Sequence, residues 1–356
     1  MKVAIIGGGP VGLVMALHLE KRGHQIDLYE KGKWPRDKAC GQGIMPSGIK
    51  ELSDLGVDFT FGKDCMPFSG ISYKDGEISV EGTLAERGYG IERTLLSQKI
   101  ISKIKEKENI FLYSDTKVLE TFNQRDRFEI KVKSGIKSYD YAFACDGLNS
   151  SLRQKYNNQK IQKQNLRMGA REHFNQTPWS DKVEVYWNDR VEAYVTPVSE
   201  NKIEVAFLWF QKQIEQGQNL RLNLWAQFPE LKNKVEFENS QRDFKGYGPF
   251  STRSKKIKVG RLFFLGDAFC FLDGITGEGL SLGFKSSKIV AQNFHRWDFS
   301  SELKFKLLYW HYSLMIKLAL SLSRKKKWRR FIFKIFGRLP KSFDTMLSLN
   351  DLLNMS

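Results

Sequence analysis

The sequence predicts an α/β protein with three parts: a parallel-sheet domain, an interleaved antiparallel β-sheet and a C-terminal helical segment. Three patterns in the 356 residues lead to this prediction. Residues 2–30 read as strand, helix and strand around a glycine turn. Residues 66–90 and 165–255 alternate apolar and polar side chains, as half-buried strands do, and residues 296–356 carry leucines at helical spacing.

Composition excludes several classes of protein. Hydrophobic residues make up 41% and charged residues 27% of the chain, which predicts a packed core rather than disorder. The four cysteines, Cys40, Cys65, Cys145 and Cys270, form no C-x-x-C pair, which argues against a zinc site or a disulfide framework and fits a reducing cytoplasm. No apolar run approaches the roughly 20 residues of a membrane helix. A collagen, a coiled coil and a transmembrane transporter are therefore excluded, and no metal site is expected.

The first predicted elements form a βαβ unit. We expect a strand at Lys2–Ile6, a helix from about Val11 to Arg22 and a second strand at Gln25–Glu30. The turn between the first strand and the helix reads Gly-Gly-Gly-Pro-Val-Gly over residues 7–12. This turn fits the pattern G-x-G-x-x-G in the structural context that the pattern requires.

The glycines of this turn have separate physical roles. Gly7 permits the tight turn, Gly9 lets a pyrophosphate approach the backbone, and Gly12 lets helix and strand pack closely. The helix then directs unpaired N–H groups and a partial positive charge at the phosphates. Glu30 ends the second strand, where its carboxylate can accept hydrogen bonds from ribose hydroxyls. A Rossmann-type dinucleotide-binding unit is predicted; the alternative is an ordinary glycine-rich turn.

Two later segments repeat the pattern of a strand that runs into a glycine turn with an aspartate. Asp146-Gly147 follows the predicted strand Tyr141–Ala144, and Gly266-Asp267 follows the predicted strand Arg261–Leu265. In a doubly wound sheet such strand ends lie on the ligand side, where Asp267 can bind a sugar-alcohol chain. Gly277 and Gly279 precede a helix predicted from about Leu280 to Phe294, and their N–H groups can face an anionic ring.

These three motifs, in this order and at these distances, resemble the FAD-dependent monooxygenase superfamily with the para-hydroxybenzoate hydroxylase fold, over roughly residues 1–295. Residues 36–43 and 276–279 are similar to segments of its geranylgeranyl reductase branch. The resemblance implies a Rossmann-type FAD-binding domain, FAD as the cofactor and NADPH or NADH as co-substrate. The sequence departs from two signatures of this superfamily. Thr196 replaces the tryptophan of the reductase substrate segment, and the tryptophan-halogenase segment W-x-W-x-I-P does not occur.

The resemblance implies roles for particular residues. Arg93 would lie near the pyrophosphate or the ribityl chain, and Asp146 would lie between FAD and the incoming nicotinamide. Asp267 would bind the ribityl hydroxyls, and the amides of Gly277 and Gly279 would stabilise negative charge at the flavin N1–O2 edge. The full set of predicted cofactor-binding residues is Gly7, Gly9, Pro10, Gly12, Glu30, Lys31, Arg36, Cys40, Gly41, Arg93, Asp146, Gly147, Gly266, Asp267, Gly277, Glu278 and Gly279.

The alternating segments predict a substrate domain whose sheet covers the flavin. The expected boundaries are residues 1–65, 91–160 and 258–295 for the FAD-binding domain, 66–90 and 165–255 for the substrate domain, and 296–356 for the basic helical segment. The predicted catalytic candidates are Cys40, Tyr194 and His173, and further substrate-lining candidates are Tyr186, Phe207 and Trp209. For each of them a packing role in the core or in a tight turn is the alternative. Cys65, Cys145 and Cys270 read as small buried apolar residues.

The C-terminal segment carries much of the basic charge. Residues 296–356 hold 13 basic and 4 acidic residues, within a formal net charge of +17 for the chain. Leu314, Leu318 and Leu322 repeat at helical spacing, and Trp328, Ile332 and Ile335 continue an apolar stripe. A peripheral contact of residues 324–336 with an anionic membrane is one interpretation. The other is a helix whose apolar stripe packs on the FAD-binding domain. No nucleic-acid motif accompanies the charge, so no nucleic-acid partner is expected.

Three functions are consistent with the sequence. The first is an FAD-dependent monooxygenase that hydroxylates a lipophilic aromatic or polyketide-like molecule; the resemblance implies a flavin C4a-hydroperoxide and NAD(P)H as reductant. The second is an ene-reductase of the geranylgeranyl reductase type, which saturates an isoprenoid chain. The third is a flavin-binding protein without turnover. A cytoplasmic location is expected, and it includes contact with the inner face of the membrane. The oligomeric state is left open.

Overall fold

The computed structural model describes residues 1–352 apart from 61, 157, 162–165, 215, 216 and 218. Its helices are α1 (Pro10–Glu20), α2 (Pro46–Asp54), α3 (Arg93–Lys105), α4 (Ser151–Lys155), α5 (Leu220–Trp225), α6 (Pro229–Lys232), α7 (Gly279–Asn293), α8 (Phe299–Arg324), α9 (Lys326–Arg338) and α10 (Pro340–Leu352). Its first ten strands are β1 (Lys2–Ile6), β2 (Gln25–Tyr29), β3 (Gly43–Ile44), β4 (Cys65–Asp75), β5 (Ile78–Ile91), β6 (Ile110–Tyr113), β7 (Glu120–Asn123), β8 (Phe128–Val132), β9 (Gly135–Tyr139) and β10 (Tyr141–Ala144). The other ten are β11 (Gln159–Ile161), β12 (Arg167–Phe174), β13 (Lys182–Trp187), β14 (Val191–Ser199), β15 (Lys202–Phe210), β16 (Lys245–Tyr247), β17 (Thr252–Ser254), β18 (Lys258–Val259), β19 (Leu262–Phe264) and β20 (Cys270–Phe271).

A six-stranded sheet in the order β18-β19-β10-β1-β2-β6 carries the nucleotide-binding unit. Its strands are parallel except for the edge pair β18 and β19. Helices α1 and α7 pack on each other, and α1 begins with Pro10 at its first position, where a proline costs no hydrogen bond. The βαβ prediction is confirmed. The helix begins at Pro10, one residue before its predicted start, and it ends at Glu20.

An eight-stranded sheet in the order β16-β12-β15-β14-β13-β4-β5-β3 faces this unit. The alternating segments do form this sheet, as expected. It is antiparallel except between β4 and β13, which run parallel, so the purely antiparallel prediction is wrong at that pair. One face of the sheet buries a second apolar core that includes Phe207, Trp209 and Trp225, together with α5 and α6.

Two segments differ from the prediction in their secondary structure. Residues 120–139 form a separate three-stranded sheet, β7-β8-β9, which the motif-based interpretation of residues 91–160 did not include. Strands β11, β17 and β20 form another small sheet. Within residues 211–240, the described part holds α5, α6 and a 3-10 turn at Phe237–Asn239 rather than strands. The domain boundaries themselves stay predictions.

The C-terminal segment is helical, as predicted, and Leu314 and Leu318 of its leucine stripe do not lie on its inward face. Helix α8 buries Phe305, Tyr309, Tyr312 and Ile316, while Leu314 and Leu318 are exposed. Of the two interpretations of this segment, the one in which these leucines pack on the FAD-binding domain is therefore wrong for Leu314 and Leu318. Helices α9 and α10 pack on β5 of the large sheet instead. In the described part of the chain, no helix has the length and apolarity to cross a bilayer.

Candidate functional site

A cavity lies between the N-terminus of α1, the loop that enters α7 and the inner face of the eight-stranded sheet. Of the predicted cofactor-binding residues, those that line it are Gly9, Pro10, Cys40, Gly41, Arg93, Gly147, Asp267, Gly277 and Gly279. Those that do not line it are Gly7, Gly12, Glu30, Lys31, Arg36, Asp146, Gly266 and Glu278. The topology thus brings segments that are up to 270 residues apart in the sequence, such as Gly9 and Gly279, into one site.

The glycines divide into two groups by what surrounds them. A Cβ on Gly7 would lie 2.3 Å from the Cys145 carbonyl oxygen, and one on Gly12 would lie 2.1 Å from that of Gly7. Gly7 also has a φ of +113°, which other residues rarely adopt. By contrast, a Cβ on Gly9, Gly277 or Gly279 would meet nothing within 4 Å. The first group closes the turn and the second leaves a cradle of open backbone.

Unpartnered polar groups face or flank this cradle. Helix α1 is capped at Gly9 and α7 at Glu278, and neither helix has a side-chain hydrogen bond at its N-terminus. Their first N–H groups remain available to an anion. Among the described residues, Arg93 Nη1, Asp146 Oδ1 and Thr276 Oγ1 are buried without a hydrogen-bond partner. Buried polar atoms of this kind cost free energy unless a ligand or water satisfies them. The residues present therefore fit a large, polar, anionic ligand such as a flavin dinucleotide.

Glu30 is engaged with the turn itself. Its carboxylate accepts hydrogen bonds from the Gly8 N–H at 2.8 Å and the Gly32 N–H at 3.0 Å. The guanidinium of Arg36 donates to the same carboxylate, with Nη1 and Oε1 2.6 Å apart. Lys31 is exposed. The structure thus places Glu30 and Arg36 together at the turn, and the ribose contact remains a prediction.

Asp267 lies in a 3-10 turn, Gly266–Ala268, beside a lysine that sequence reasoning did not single out. Lys38 Nζ is 3.5 Å from Asp267 Oδ2 and 4.4 Å from the centre of the Tyr247 ring. Burial alone would lower the pKa of Lys38, but Asp267 and Tyr247 together raise it. The cavity therefore holds a cation, Lys38, next to Asp267, the residue predicted to bind the ribityl chain.

The opposite wall is the inner face of the large sheet. Tyr194 lines the cavity, and its hydroxyl donates to the Ile275 carbonyl at 3.0 Å, which ties the sheet to the loop before α7. The Thr196 hydroxyl donates to the Gly41 carbonyl at 3.1 Å. Cys40 is half-buried in the same wall. The centre of this wall is otherwise small or apolar, from Gly169, Ala206, Leu208, Val183, Val185 and Ile71.

A buried polar cluster stands at one end of this wall. The Arg171 guanidinium contacts the carboxylates of Asp37, 2.5 Å away, and Asp243. His173, which does not line the cavity, has Nδ1 2.7 Å from Asp243 Oδ2 and Nε2 2.9 Å from Gln42 Oε1. Burial lowers the pKa of His173, so the ring is neutral at pH 7.

Glu204 lies at the centre of the same cluster. It is fully buried, its two carboxyl oxygens have no hydrogen-bond partner among the described residues, and Oε2 is 3.5 Å from His173 Nε2. Burial, with the nearby Cys40 second, raises the pKa of Glu204 well above its usual value. Arg171, whose Nε is 3.9 Å from Glu204 Oε2, lowers the pKa of Glu204 but does not outweigh burial. The uncharged form of Glu204 is therefore favoured.

A second buried cluster stands at the other end of the wall. Arg167 is 2.9 Å from Asp273 and 2.8 Å from Glu192, and all three side chains are about 2% exposed. Burial alone would lower the pKa of Arg167, but Glu192 and Asp273 outweigh it and raise the pKa. Because Asp273 begins the loop that leads to Gly277, this cluster joins the sheet to the cofactor side of the cavity.

Sequence reasoning missed most of these polar residues. Arg171 contacts Asp37, which is 134 positions away, and Asp243, which is 72 positions away. No local motif marks such partners. The one available signal was that charged residues occur on strands whose side chains otherwise alternate between apolar and polar. The other substrate candidates, Tyr186 and Trp209, are buried in the second core, while Phe207 is buried there and borders the cavity.

Comparisons with known proteins agree with this geometry. A sequence model of the family described as FAD binding domain matches residues 1–293. Kynurenine 3-monooxygenase of Anopheles gambiae is 25% identical over 170 residues, which are 44% of this chain and 35% of that protein. Kynurenine 3-monooxygenase of Saccharomyces cerevisiae is 22% identical over 335 residues, 81% of this chain and 72% of that protein. The match thus spans about a third of the mosquito enzyme.

A solved structure resembles the whole chain in fold. The p-nitrophenol 4-monooxygenase of Pseudomonas putida superposes with a TM-score of 0.82 at 17% identity, covering 99% of this chain and 97% of that one. At this identity the likeness concerns the fold alone. It confirms the predicted α/β architecture, with a nucleotide-binding domain, an interleaved sheet and C-terminal helices.

Proposed function

This chain belongs to the FAD binding domain family, and from that premise we propose that it is an FAD-dependent monooxygenase that hydroxylates a lipophilic aromatic or polyketide-like compound. NADPH or NADH is the proposed reductant. The observation that carries the proposal is a single cavity with two unlike walls, one of open glycine backbone and one largely apolar. The first suits a dinucleotide cofactor and the second a hydrophobic substrate.

We propose that the backbone wall holds FAD. Gly9 and the N-terminus of α1 receive the pyrophosphate, and Arg93 directs its unpartnered N–H groups to the pyrophosphate or ribityl chain. Asp267 accepts hydrogen bonds from the ribityl hydroxyls, and the Gly279 amide stabilises negative charge on the flavin ring. The predicted role of the Gly277 amide does not fit, because its N–H donates to the Gly274 carbonyl at 3.0 Å. When bound, FAD supplies the transfer of electrons from the nicotinamide to oxygen.

The sheet wall has three tasks in this proposal: to orient the substrate, to exclude water and to move protons. Val183, Val185 and Ile71 offer an apolar surface to a hydrophobic ring. The hydrogen bond from Tyr194 to Ile275 keeps this surface in position over the loop that leads into α7. A dry site strengthens the electrostatic interactions within it and protects reactive intermediates from water.

Protons have a path through the buried cluster. The His173 ring lies between Glu204, whose Oε2 is 3.5 Å from Nε2, and Asp243, whose Oδ2 is 2.7 Å from Nδ1. Asp243 is 29% exposed, so it connects this chain of groups to solvent. Gln42, which lines the cavity and whose Oε1 is 2.9 Å from His173 Nε2, links this cluster to the cavity. We propose His173 as a proton carrier rather than as a group that contacts substrate.

The experiment is to purify the protein with FAD, add NADPH in air and follow oxygen and peroxide with a panel of alkyl phenols and prenyl lipids. The proposal predicts a flavin spectrum, oxygen uptake stimulated by a phenol, and a product heavier by one oxygen atom. Saturation of a prenyl chain without oxygen uptake would establish the ene-reductase alternative instead. Flavin binding with no turnover of any compound would favour the non-catalytic alternative.

A further inference from the structure

Helix α8 is apolar on the face that points away from the protein. Its inward face carries Phe305, Tyr309, Tyr312 and Ile316, which are buried. Its outward face carries a row of exposed apolar residues that we name the outer stripe: Phe299, Leu303, Leu307, Trp310, Leu314 and Leu318. At about 100° per residue these six fall within an arc of roughly 100°, centred opposite the buried face. A solvent-facing helix normally carries polar residues there.

The outer stripe is too long to be ordinary surface variation. Single exposed apolar residues are common on soluble proteins, but contiguous rows mark a contact surface. From Phe299 to Leu318 the stripe runs about 28 Å along the helix. Trp310, near its middle, is 64% exposed. Helix α9 adds exposed Trp328, Phe331 and Ile335 after a one-residue break at Lys325.

Unpaired positive charge flanks this apolar surface. Residues 299–338 hold 11 basic residues and one acidic residue, Glu302. Four of the basic residues have partners: Lys306 with Glu302, Lys326 with Asp189, and Arg329 and Arg330 with Asp75. In the described part of the chain, the remaining seven take part in no ion pair; they are Lys304, Lys317, Arg324, Lys325, Lys327, Lys334 and Arg338.

We propose that the outer stripe and the adjoining face of α9 form a docking surface for a membrane rich in anionic phospholipid. Apolar side chains enter the acyl boundary while the flanking lysines and arginines contact the headgroups. Charge decides against a second copy of this chain as the occupant. A symmetric dimer through this face would bring the same unpaired cations of both copies together, at a cost in repulsion.

This surface lies directly behind the cavity. On its inward side α8 reaches the loop that leads into α7, where the Tyr312 hydroxyl donates to the Asp273 carbonyl at 3.2 Å. A protein docked through α8 would therefore hold its cavity near the bilayer surface, where lipophilic compounds concentrate. The docking proposal rests on exposure and charge, and it stands independently of the proposed reaction.

The test uses the full-length holoprotein, because truncation would damage the fold. Phe333, Phe343 and Leu347 are buried against the sheet, and Arg329 is buried beside Asp75, so deleting residues from 324 onward would expose the core. Point substitutions on the outer face avoid this. Co-sedimentation with vesicles of phosphatidylcholine and phosphatidylglycerol, against phosphatidylcholine alone, measures the partition coefficient.

Two substitutions and two matched controls make the test specific. Leu307→Glu is expected to lower the partition coefficient by about 10-fold or more, since a leucine leaves the acyl boundary. Lys317→Gln is expected to lower it by about 5-fold at low salt. Ile136→Glu and Lys133→Gln, on the exposed hairpin of β8 and β9, make the same chemical changes elsewhere; Ile136 is 61% exposed. Neither control should alter binding.

The outcomes distinguish a membrane from a second copy of this chain as the partner of the outer stripe. Binding to the anionic vesicles that Leu307→Glu and Lys317→Gln weaken and the controls leave intact supports the proposal. Failure of the wild-type protein to bind these vesicles at low salt overturns it, as does an equal loss in the controls. A dimer in sedimentation equilibrium that Leu307→Glu dissociates, without vesicle binding, would assign the surface to a second copy and likewise overturn it.

Discussion

The two walls of the cavity are built in different ways. The backbone wall consists of turns and helix N-termini, and its open positions at Gly9, Gly277 and Gly279 leave room for a ligand. The sheet wall consists of side chains from several strands, with the Arg167 cluster at one end and the Arg171 cluster at the other. A wall of backbone suits a cofactor that many enzymes share, while a wall of side chains can be specific to one substrate.

The two walls should therefore respond differently to substitution. Changes on the backbone wall should affect cofactor affinity or the turn that forms the site. Changes at the ends of the sheet wall should affect the stability of the whole protein, because buried charges there balance one another. The following predictions test this difference, from the largest expected effect to the smallest.

Arg167→Met should cause the largest loss of stability. It leaves Glu192 and Asp273 as buried carboxylates without their cation, which typically costs about 3–5 kcal/mol in the free energy of unfolding. Chemical denaturation measures this. Arg324→Met is the matched control, since Arg324 packs over the same Phe210 ring but is exposed, and it should change stability by less than about 1 kcal/mol. Equal effects of the two substitutions would contradict the account of this cluster.

Asp267→Ala should weaken FAD binding with little change in the free energy of unfolding. The loss of a hydrogen bond to a charged group costs about 1.5–3 kcal/mol, or roughly 10-fold to 150-fold in affinity. Asp267→Asn keeps an acceptor oxygen and should lose less. Isothermal titration of the apoprotein with FAD gives the values. If Asp267→Ala retains stoichiometric flavin at normal affinity, the placement of this turn against the ribityl chain is wrong.

Gly12→Ala should destabilise the turn of the backbone wall. The added Cβ would lie 2.1 Å from the Gly7 carbonyl oxygen, so the turn must shift, and overpacking of this kind costs about 1–3 kcal/mol. Gly9→Ala, in the same turn, adds a Cβ into open space and should leave the apoprotein as stable as the wild type. Thermal unfolding of the two apoproteins tests the contrast, and a more damaging Gly9→Ala would refute it.

Glu204→Gln should change how stability depends on pH. The pKa of Glu204 lies above its usual 4.5 in the folded protein, so between pH 4.5 and that raised pKa the folded state binds more protons than the unfolded state. Wild-type stability should therefore fall with rising pH relative to the variant, by at most about 1.4 kcal/mol per pH unit. Denaturation at several pH values measures the difference. An advantage of the variant that shrinks as pH rises would show that Glu204 is ionised.

The sequence predicted the backbone wall far better than the sheet wall. Each part of the backbone wall is a short motif, such as Gly-x-Gly-x-x-Gly at residues 7–12 or Gly266-Asp267, and strand ends of one sheet meet at one edge. The sheet wall depends on register between strands that are distant in sequence. Arg171 and Asp37, 134 positions apart, carry no local signal of their contact.

The C-terminal helices show a second limit of sequence reasoning. Leu314 and Leu318 have helical spacing, which left open whether their stripe packs on the protein or faces a membrane. Helix α8 has two apolar stripes, and Tyr312 and Ile316 on the other stripe are the buried ones. Periodicity reveals that a stripe exists but cannot tell which of two faces the core.

The most direct test of a flavin site at the backbone wall is FAD binding by the wild-type protein and by Gly9→Ala, with a thermal unfolding curve for each apoprotein. We predict that the wild-type protein binds one FAD per chain, and that Gly9→Ala unfolds at the wild-type temperature but loses most of its FAD affinity, because its methyl group occupies the space of the pyrophosphate. A wild-type protein that cannot be loaded with FAD, or a Gly9→Ala variant that binds FAD as the wild type does, would contradict the account.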